Sequence, residues 1–570
     1  MINEDKAGLI EVARGERPAD IIMANARVVN VFNGEIEEGN VAVYHGVIAG
    51  VGDYKEAKEV IYLKGKYLAP GFISGHIHIE SSMLDIGQYA RAAVARGTLA
   101  IITDLHELAN VCGLKGIEYI LNYASKLPLE VFLMAPSCVP ATHLETSGAC
   151  VSENDIKKLL EREDVLGLGE MMNYPGVLMA DEIVMGKLAV AKDKVIDGHA
   201  PGVSGGELNA YITAGIRSDH ESVTFKEGQE KLRKGMHLMI REGSSEKNLE
   251  TLLPLVTDKT YKRCLLVVDD RSCSDLLRDG DMDAVIRKAV RLGLDPVRAI
   301  QLATINTAEY FNLKDLGAIG PGYRANMVVI DNLADLNVEM ALYDGKIVAR
   351  KNKALFKTPK SKWQLGNTIN IKPFRVADLE LKSKKKRLPV IELVPGQIIT
   401  RRINKKVKSK DDIILTDIDR DILKLVVVER HKASGNIGLG LVKGFGLKNG
   451  ALVSSIAHDS HNIIAVGTSD DDIYEGIKEI EKLGGGLAVV SRGKVLASLA
   501  LPIGGLMSGQ PLEDVVAGFE ELKCLADELG VKVPSPFAAL SFLALPVIPE
   551  LRLTDKGLVD VNSFKIIDIC

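Results

Sequence analysis

The chain has 570 residues with a formal net charge of −5, and 46% of its residues are hydrophobic and 26% charged. This length predicts two or three domains of a globular protein. The balanced charge favours neither a nucleic acid nor a membrane surface as a partner. No apolar run reaches the roughly 18–20 residues needed to cross a bilayer, and the N-terminal segment lacks the features of a secretion signal. The seven cysteines form no CxxC pair, so we expect a protein of the reducing cytoplasm.

Two separate segments are predicted to form short antiparallel strands. Residues 19–50 are rich in β-branched side chains that Asn, Gly and Glu interrupt, and residues 340–350 indicate a hairpin with Asp344 and Gly345 at its turn. The two segments flank the central region of the sequence. We therefore expect residues 1–69 and 325–375 to form one small β-sandwich domain.

The central region alternates apolar strands with amphipathic helices. Strands are predicted at Leu68–Ile77, Leu99–Leu105, Glu130–Ser137, Val165–Met171, Val195–Ala200, Ile216–His220, His237–Glu242 and Cys264–Asp269. Helices are predicted at Ile86–Arg96, Glu153–Arg162, Glu207–Ala214, Lys226–Lys234, Lys247–Leu255 and Met282–Leu292. Eight such units predict an α/β fold, and a closed, TIM-like (β/α)8 barrel is the natural architecture for them. We assign this catalytic barrel to residues 70–324.

The remainder of the chain divides into a connection and a further domain. Residues 351–388 are rich in Lys and poor in periodicity, which favours an exposed connection over a nucleic-acid-binding patch. From about residue 389, strands and helices alternate again around Gly-rich turns. We expect residues 376–570 to form a separate C-terminal α/β domain.

Side chains that can bind metal ions fall at the ends of the predicted barrel strands. In strand order they are His76 and His78, His106 and Glu107, Glu170, His199, His220, Glu242, and Asp269 with Asp270. In a parallel barrel the C-terminal ends of all strands open on one face, and active sites lie there. The sequence therefore predicts that these side chains meet at one mouth of the barrel.

The spacing of His76 and His78 has a specific geometric meaning. Side chains at positions i and i+2 of a strand point to the same face, so both imidazoles can reach one metal ion while Ile77 points into the packing. Mixed imidazole and carboxylate ligands suit Zn, Mn or Fe rather than Ca or Mg. Five or six protein ligands are too many for one catalytic ion with an open position, but they suit two ions bridged by a carboxylate.

Six separated motifs carry a family resemblance. They are PGFISGHIHIESSM, TDLHELANV, GLGEMMN, DGHAPG, SDHE and VVDDR, in that order, and LATINTAEYFNL follows them. Together they resemble the amidohydrolase superfamily, and HIHIESSM, LHELANV, GEMMN and GHAPG resemble its adenine deaminases in particular. The resemblance continues in the C-terminal domain through VKGFGLKNGALVSSIAHDSHN, so it covers most of the chain.

The resemblance implies a hydrolase that converts adenine and water to hypoxanthine and ammonia, in purine salvage and adenine catabolism. It implies two divalent metal ions, Mn²⁺ or Fe²⁺ in the first place and Zn²⁺ as an alternative. Glu170 is expected to bridge the two ions. The full set of expected ligands is His76, His78, Glu170, His199, His220 and Asp269.

Catalytic and substrate-binding roles follow from the same resemblance. Asp269 is expected to take the proton of the attacking water and Asp270 to face the substrate, although the reverse order stays open. Glu107 is expected to donate a proton to a ring nitrogen or to act as an extra ligand, and His106 to polarise the water or orient Glu107. Further predicted substrate-binding residues are Glu242, Ser82 and Asn110.

Two departures from the commonest superfamily pattern matter. Many binuclear members carry a carboxylated lysine on the fourth strand, where this chain has Glu170, which supplies a bridging carboxylate directly. Mononuclear deaminases carry a glutamate three residues after the fifth-strand histidine, where this chain has Gly202. A different carboxylate, with Glu107 as the candidate, must then move the proton.

Several residues keep two interpretations at this point. Glu80 and Ser81 are candidates for lining the pocket, and Glu221 for supporting a ligand. The cluster His458, Asp459 and His461 either closes over the pocket from the C-terminal domain or has a structural or interfacial role. His45, His143 and His431 belong to no group of predicted site residues, and we interpret them as structural.

Two other functions compete with deamination. One is hydrolysis of a cyclic amide, a ureide or a different aminated heterocycle, because the same metal ligands serve these reactions. The other is a protein that keeps the barrel, has lost catalysis and serves in an assembly. Every expected ligand position of this chain holds a residue that can bind a metal, which disfavours this alternative. The expected partners are adenine and water, with a homo-oligomer of two or more chains and neither nucleic acid nor membrane.

Overall fold

The computed structural model describes residues 5–359, 365–395 and 397–569. Residues 1–4 of the predicted small domain, residues 360–364 of the predicted connection, and Gly396 and Cys570 of the predicted C-terminal domain lie outside these ranges. None of the helices within the ranges combines the length and the apolar character that a bilayer crossing requires.

The two predicted β segments pair in one sheet. In the described part of the chain this sheet has nine strands, Ala19–Asn30, Glu35–Tyr44, Val47–Gly52, Ala57–Tyr62, Tyr67–Pro70, Met327–Ile330, Val338–Tyr343, Lys346–Arg350 and Lys353–Ala354. The two segments join where Leu68 pairs with Val329 in antiparallel register. The helix Lys6–Ala13 lies beside it. Asp344 and Gly345 form the predicted turn, both with positive φ, so the pattern of the second segment was interpreted correctly.

A parallel barrel follows the first β segment. Its strands, called barrel strands one to eight, are Phe72–His78, Thr98–Thr103, Glu130–Ala135, Val165–Met171, Val195–Gly198, Ser218–Asp219, His237–Arg241 and Cys264–Val267. Strands one to five pair in chain order, and strands six to eight pair in chain order. The ring closes because Asp269 pairs with Ile77 and the Arg217 amide donates to the Ile196 carbonyl at 3.1 Å.

Helices cover the outside of the barrel. They are Ile86–Ala95, His106–Cys112, Leu114–Ala124, Glu153–Leu160, Tyr174–Leu178, Glu182–Val190, Gly205–Thr213, Phe225–Arg233, Leu249–Leu252, Cys273–Arg278, Met282–Arg291, Pro296–Leu302 and Ile305–Tyr310. Side-chain caps fix several of their starts, as where Thr224 accepts from the Glu227 amide. The predicted helix at residues 247–255 is shorter than expected and ends in a 3₁₀ turn at Leu253–Leu255.

The first predicted strand, Leu68–Ile77, is two strands. Tyr67–Pro70 belongs to the small sheet and Phe72–His78 to the barrel, and Gly71 lies between them. A side chain at Gly71 would lie 2.5 Å from Leu99, so only glycine allows this close passage. The dipeptide Pro70-Gly71 is typical of a turn and marks this change of sheet within the predicted strand.

The C-terminal part is built on an eight-stranded sheet in the described residues. In spatial order its strands are Thr400–Lys406, Arg387–Leu393, Ile437–Lys443, Ile422–Val428, Ile463–Gly467, Ala451–Ser454, Gly486–Ser491 and Lys494–Ala500. Only the second and third of these pair in parallel. Two smaller sheets consist of Lys408–Lys410 with Ile413–Leu415, and of Leu551–Thr554, Gly557–Asp560 and Lys565–Ile567. The helices of this part are Asp470–Leu483, Leu512–Glu528 and Pro536–Phe542.

Part of the expected connection is packed rather than exposed. Ile369, Leu379 and Leu381 are buried in the hydrophobic cores of the C-terminal part. The lysines at positions 384–386 are exposed, as a solvated segment predicts. Isolated apolar residues between lysines show no periodicity, which is why the sequence pattern did not reveal this packing.

The C-terminal part docks onto the mouth of the barrel through buried polar contacts. The Asp85 amide donates to the Ser508 carbonyl at 2.9 Å, and the Ser508 amide donates to the Met83 carbonyl at 2.8 Å. Asp555 accepts from both the amide and the hydroxyl of Thr146, at 2.8 and 2.6 Å. These contacts place the C-terminal residues over the ends of the barrel strands.

Candidate metal centre and active site

The six predicted ligands come together at the barrel mouth, although they are spread over 194 positions of the sequence, from His76 to Asp269. Five of them have at most a twentieth of the side chain exposed, and His199 has 19% exposed. Each lies at or just after the C-terminal end of a barrel strand. This convergence is what a parallel barrel predicts for its catalytic face.

Glu170 lies between two groups of histidines. One carboxylate oxygen, Oε1, is 3.4 Å from His78 Nε2. The other oxygen, Oε2, is 3.1 Å from His220 Nε2 and 2.7 Å from His199 Nδ1. A carboxylate that offers a different oxygen to each group has the orientation of a bridging ligand. Nearby His199 and His220 hold the pKa of Glu170 well below its usual range, although burial alone would raise it.

Asp269 faces the first histidine pair. Its Oδ1 is 3.5 Å from His76 Nε2 and 3.4 Å from His78 Nε2. Burial raises the pKa of Asp269, but His78 and Arg241 outweigh burial and hold it well below its usual value. The next residue, Asp270, instead contacts the hydroxyl of Ser81 and lines a cavity. Of the two aspartates, Asp269 is therefore the one placed to be a ligand.

The donor set fits divalent cations. Burial lowers the pKa of His76 to about 3, so its imidazole is neutral, as a metal ligand must be. Its buried Nε2 has no hydrogen-bond partner among the described residues. Most donor pairs here are 3.1–3.5 Å apart, a separation that metal bonds of about 2.0–2.2 Å to a shared ion produce. Imidazole and carboxylate together suit Mn, Fe or Zn.

Asp104 orients two imidazoles from below the predicted ligands. Its Oδ1 is 2.9 Å from His106 Nδ1 and 3.3 Å from His78 Nδ1. Partners of this kind fix the ring orientation of a ligating histidine and leave the other nitrogen for the metal. Sequence reasoning missed Asp104, although it stands in the TDLHE motif at the end of barrel strand two.

Arg241 is the second residue that sequence reasoning missed. Its guanidinium contacts both oxygens of Glu221 and lies 3.0 Å from Asp269 Oδ2. Glu221 in turn is 3.5 Å from His220 Nε2 and 3.7 Å from His199 Nδ1. Arg241 therefore neutralises two buried carboxylates and fixes the outer oxygen of Asp269. The available signal was its position at the end of barrel strand seven.

His106 and Glu107 begin the helix His106–Cys112 and lie above the ligands. His106 Nδ1 is 3.6 Å from Glu170 Oε1, beside its contact with Asp104. Glu107 lies between His458 and His461 of the C-terminal part. These two histidines outweigh the effect of burial and hold the pKa of Glu107 well below its usual range.

A cavity of about 120 Å³ lies between the barrel mouth and the C-terminal part. The barrel contributes Glu80, Ser81, Glu107 and Asp270 to its lining. The C-terminal part contributes a mainly apolar wall made by Ile456, His458, Leu487, Leu506, Phe519, Phe537 and Phe542. Burial, followed by the charge of Glu107, raises the pKa of Glu80 to about 7. A mainly apolar cavity with a few polar groups on one side is typical of a small-molecule site.

The structure places Glu242, a predicted substrate-binding residue, outside the lining of the cavity. Its carboxylate accepts from the Leu249 amide at 3.3 Å and pairs with Lys288 at 2.5 Å, and it does not line the cavity. Successive side chains of a strand point to opposite faces. Because Arg241 points into the barrel mouth, Glu242 points away from it.

Ser82 and Asn110, the other two predicted substrate-binding residues, also lie outside the lining of the cavity. The Ser82 hydroxyl donates to the Ile79 carbonyl at 2.6 Å and closes the turn Ile79–Ser82, so of these two neighbouring serines it is Ser81 that lines the cavity. The Asn110 amide donates to the His106 carbonyl at 3.0 Å and its oxygen accepts from Ser147 at 2.9 Å. Local turn geometry, which the motif does not encode, decides which of these side chains reaches the cavity.

Two family models match the chain. The model described as the amidohydrolase family matches residues 67–361, and the one described as the adenine deaminase C-terminal domain matches residues 397–565. The first covers the barrel with part of the small sheet, and the second covers most of the C-terminal part.

Curated relatives are similar over nearly the whole chain. The adenine deaminase of Dehalococcoides mccartyi is 61% identical over 563 residues, which cover 98% of this chain and 98% of that protein. Adenine deaminase 2 of Carboxydothermus hydrogenoformans is 48% identical and covers 98% of this chain and 99% of its own length.

Solved structures are more distant. A crystal structure of an adenine deaminase is 18% identical, with a TM-score of 0.45, and covers 58% of this chain and 99% of that chain. The beta-aspartyl dipeptidase of Fervidobacterium islandicum AW-1 is 17% identical, with a TM-score of 0.46, and covers 60% of this chain and 99% of its own.

Proposed function

This chain belongs to the amidohydrolase family and, within it, to the adenine deaminases, and from that premise we propose that it hydrolyses adenine to hypoxanthine and ammonia. In this reaction the bond from C6 of the purine to the exocyclic nitrogen breaks and a bond from C6 to oxygen forms. One water molecule supplies the oxygen, and ammonia leaves. The reaction makes the chain an enzyme of adenine catabolism and purine salvage.

The observation that carries the proposal is the bridging orientation of Glu170. Its two oxygens face two separate groups of ligands within one buried site, and a cavity bordered by carboxylates lies above it. A relative with 61% identity over the full chain is named for the same substrate. The site and the relationship therefore support the same reaction.

The proposal includes two divalent cations, with Mn²⁺ or Fe²⁺ as the native metal. His76, His78 and Asp269 would hold one cation, His199 and His220 the other, and Glu170 both. Cations bound there supply Lewis-acid activation of water at neutral pH. Arg241 and Asp104 keep the ligands in the orientation that this binding needs.

Three carboxylates at the cavity have distinct proposed roles. Asp269 accepts the proton of the attacking water and delivers it to the leaving ammonia. Glu107, which His458 and His461 keep ionised, takes the other proton of the water and gives it to a ring nitrogen, so that electron density can move into the ring. Asp270 with Ser81 faces the edge of the substrate. General acid–base assistance of this kind is typically worth about 10²–10⁴ in rate.

Other parts of the proposal concern the setting of the enzyme. We place it in the cytoplasm as a homo-oligomer that acts on a small molecule, without nucleic acid or membrane as a partner. A measurement of mass in solution tests the oligomer, and none of the residues named for the reaction depends on it.

The test is ammonia release by the purified, metal-reconstituted protein supplied with adenine. We expect ammonia and hypoxanthine in equal amounts, and no turnover after treatment with a chelator. Glu170→Gln should lose metal and activity together while the fold, followed by circular dichroism, persists. Asp258→Asn, which changes a carboxylate of the barrel with 96% of its side chain exposed, is the matched control and should keep both.

Two results would contradict the proposal. Hydrolysis of a cyclic amide or ureide, without ammonia release from adenine, would assign the site to a different amidohydrolase reaction. Full activity and full metal content in Glu170→Gln would show that this carboxylate does not bridge the ions.

A further inference from the structure

Glu107 of the barrel lies between two histidines of the C-terminal part. Its Oε1 is 2.7 Å from His458 Nδ1 and its Oε2 is 2.6 Å from His461 Nε2. The exposed fractions of the three side chains are 4%, 12% and 0%, in the order Glu107, His458 and His461. A carboxylate at the active-site cavity is thus held on both oxygens by residues more than 340 positions further along the chain.

The distances distinguish this group from the metal centre. Around Glu170 and Asp269 most donor pairs are 3.1–3.5 Å apart, with only the pair of His199 and Glu170 at 2.7 Å. Both contacts of Glu107 are shorter, at 2.7 and 2.6 Å. We call this group of two imidazole–carboxylate contacts the clamp; because its residue types can also bind a cation, the metal content of its variants is measured together with kcat.

The C-terminal part fixes the orientation of both rings. His461 Nδ1 accepts from the Ala457 amide at 3.2 Å, which leaves the proton on Nε2, the nitrogen that faces Glu107. Arg430 binds the His461 carbonyl. The His458 ring stacks on Phe542, with centroids 4.5 Å apart and planes at 24°.

The clamp presents one cation and one neutral donor to Glu107. The neighbouring Glu107 outweighs burial and raises the pKa of His458 to about 9. Burial lowers the pKa of His461 to about 4, so this ring is neutral. Both His458 and Glu107 line the cavity, whereas His461 is fully buried behind them.

We propose that His458 and His461 are positioning residues that hold the carboxylate of Glu107 at the cavity, so that the C-terminal domain completes the active site. This inference rests on the proposed function for the role of Glu107 in proton transfer. Neither histidine needs to touch the substrate. Their effect passes through one carboxylate, and a misplacement of about 1 Å at such a group can cost about a hundredfold in rate.

The first experiment is truncation of each histidine in the full-length, metal-reconstituted protein. We expect His458→Ala and His461→Ala to lower kcat on adenine by about a hundredfold, with KM and metal content close to those of the parent. His458→Ala is the decisive variant because the His458 ring borders the cavity. Its removal therefore enlarges that cavity and creates no new enclosed void in the core. His143→Ala is the control, since this barrel histidine packs on Phe564 of the C-terminal part and does not contact Glu107.

Conservative replacements separate positioning from a merely structural role. The side-chain nitrogen of Asn stands near the position of Nδ1, and that of Gln near Nε2. We therefore expect His458→Asn and His461→Gln to restore most of kcat. If His461→Ala does not fold, the comparison of His458→Ala with His458→Asn still decides the question.

A double-mutant cycle tests the route through Glu107. In a Glu107→Gln background, His458→Ala should change kcat by less than about threefold, because residues that act through one group are not additive. Full additivity would overturn the inference. So would wild-type kcat in both alanine variants, or the loss of one metal ion per chain in His461→Ala, which would indicate a cation site. An inactive parent protein would instead contradict the proposed function itself.

Discussion

At the scale of the residue, contacts with neighbouring side chains fix the orientation of the predicted metal ligands at the barrel mouth. Glu170 offers its two oxygens to two groups of histidines, Asp104 lies 3.3 Å from the predicted ligand His78, and Arg241 lies 3.0 Å from the predicted ligand Asp269. The six ligands were predictable because their residue types recur at strand ends. Asp104 and Arg241 were not, since a supporting carboxylate or guanidinium is defined only by what it contacts in space.

Removal of Arg241 tests this support. Arg241→Met would leave Glu221 and Asp269, with 8% and 4% of their side chains exposed, without their cation. Removing one partner of a buried pair typically costs about 3–5 kcal/mol because the other charge stays buried. We expect a destabilisation of about 3 kcal/mol or more in the metal-free protein, measured from its unfolding midpoint in urea.

The matched control for this prediction is Lys55→Met. Lys55 pairs with Asp53, the two side chains are 74% and 80% exposed, and such surface pairs contribute about 1 kcal/mol or less. Equal losses in the two variants would mean that Arg241 is not needed to neutralise the buried carboxylates.

At the scale of the element, strand alternation decides which residues reach the mouth. Barrel strand seven ends at Arg241, whose side chain points into the barrel mouth. The side chain of the next residue, Glu242, therefore points to the outer face of the barrel. After barrel strand eight the chain turns at Asp269, which has a φ of 61°. A non-glycine residue in this region costs of order 1 kcal/mol or more, and such strain collects at functional sites. The turn directs Asp269 towards the ligands and Asp270 towards the cavity.

The position of Glu242 outside the lining of the cavity yields a prediction. Glu242→Gln should keep the kcat and KM of the parent protein on adenine within about twofold, because its side chain contacts Lys288 and the Leu249 amide rather than the cavity. Steady-state kinetics on the purified variant is the measurement. A rise in KM of more than tenfold, with unchanged metal content, would restore the original assignment of Glu242 to the substrate.

For the whole molecule, the important feature is the C-terminal domain over the barrel mouth. It supplies the apolar wall of the cavity and the two histidines that hold Glu107. Asp555 anchors this arrangement, since it accepts from Thr146 of the barrel and from Asn436, and lies within 3.4 Å of Asn462. The barrel alone would leave the cavity open on that side.

Asp555→Ala tests the anchor. The change would remove the acceptor of three hydrogen bonds from the half-buried Thr146 and Asn436, and a typical hydrogen bond contributes about 0.5–1.5 kcal/mol. We expect a lower unfolding midpoint in urea, equivalent to about 2 kcal/mol or more. Asp560→Ala, which removes a contact with the 41%-exposed Arg402 inside the C-terminal domain, should change the midpoint much less. The same midpoint in both variants would contradict a role for Asp555 in docking.

The sequence by itself determined the family, the barrel and the set of side chains that gather at its mouth. Apolar runs and their spacing define the strands, and in a parallel barrel the ends of all strands lie on one face whatever their separation in the chain. His76, His78, Glu170 and Asp269 could therefore be grouped before any coordinates.

Only the tertiary structure decided which neighbours support those ligands and what covers them. The direction of a side chain at a strand end depends on pleat and turn, which is why Ser81 and not Ser82 lines the cavity and why Glu242 does not. The histidines that hold Glu107 come from another domain, and no local pattern encodes the docking of two surfaces. Contacts between domains arise from packing of the complete chain, so their partners became visible only in three dimensions.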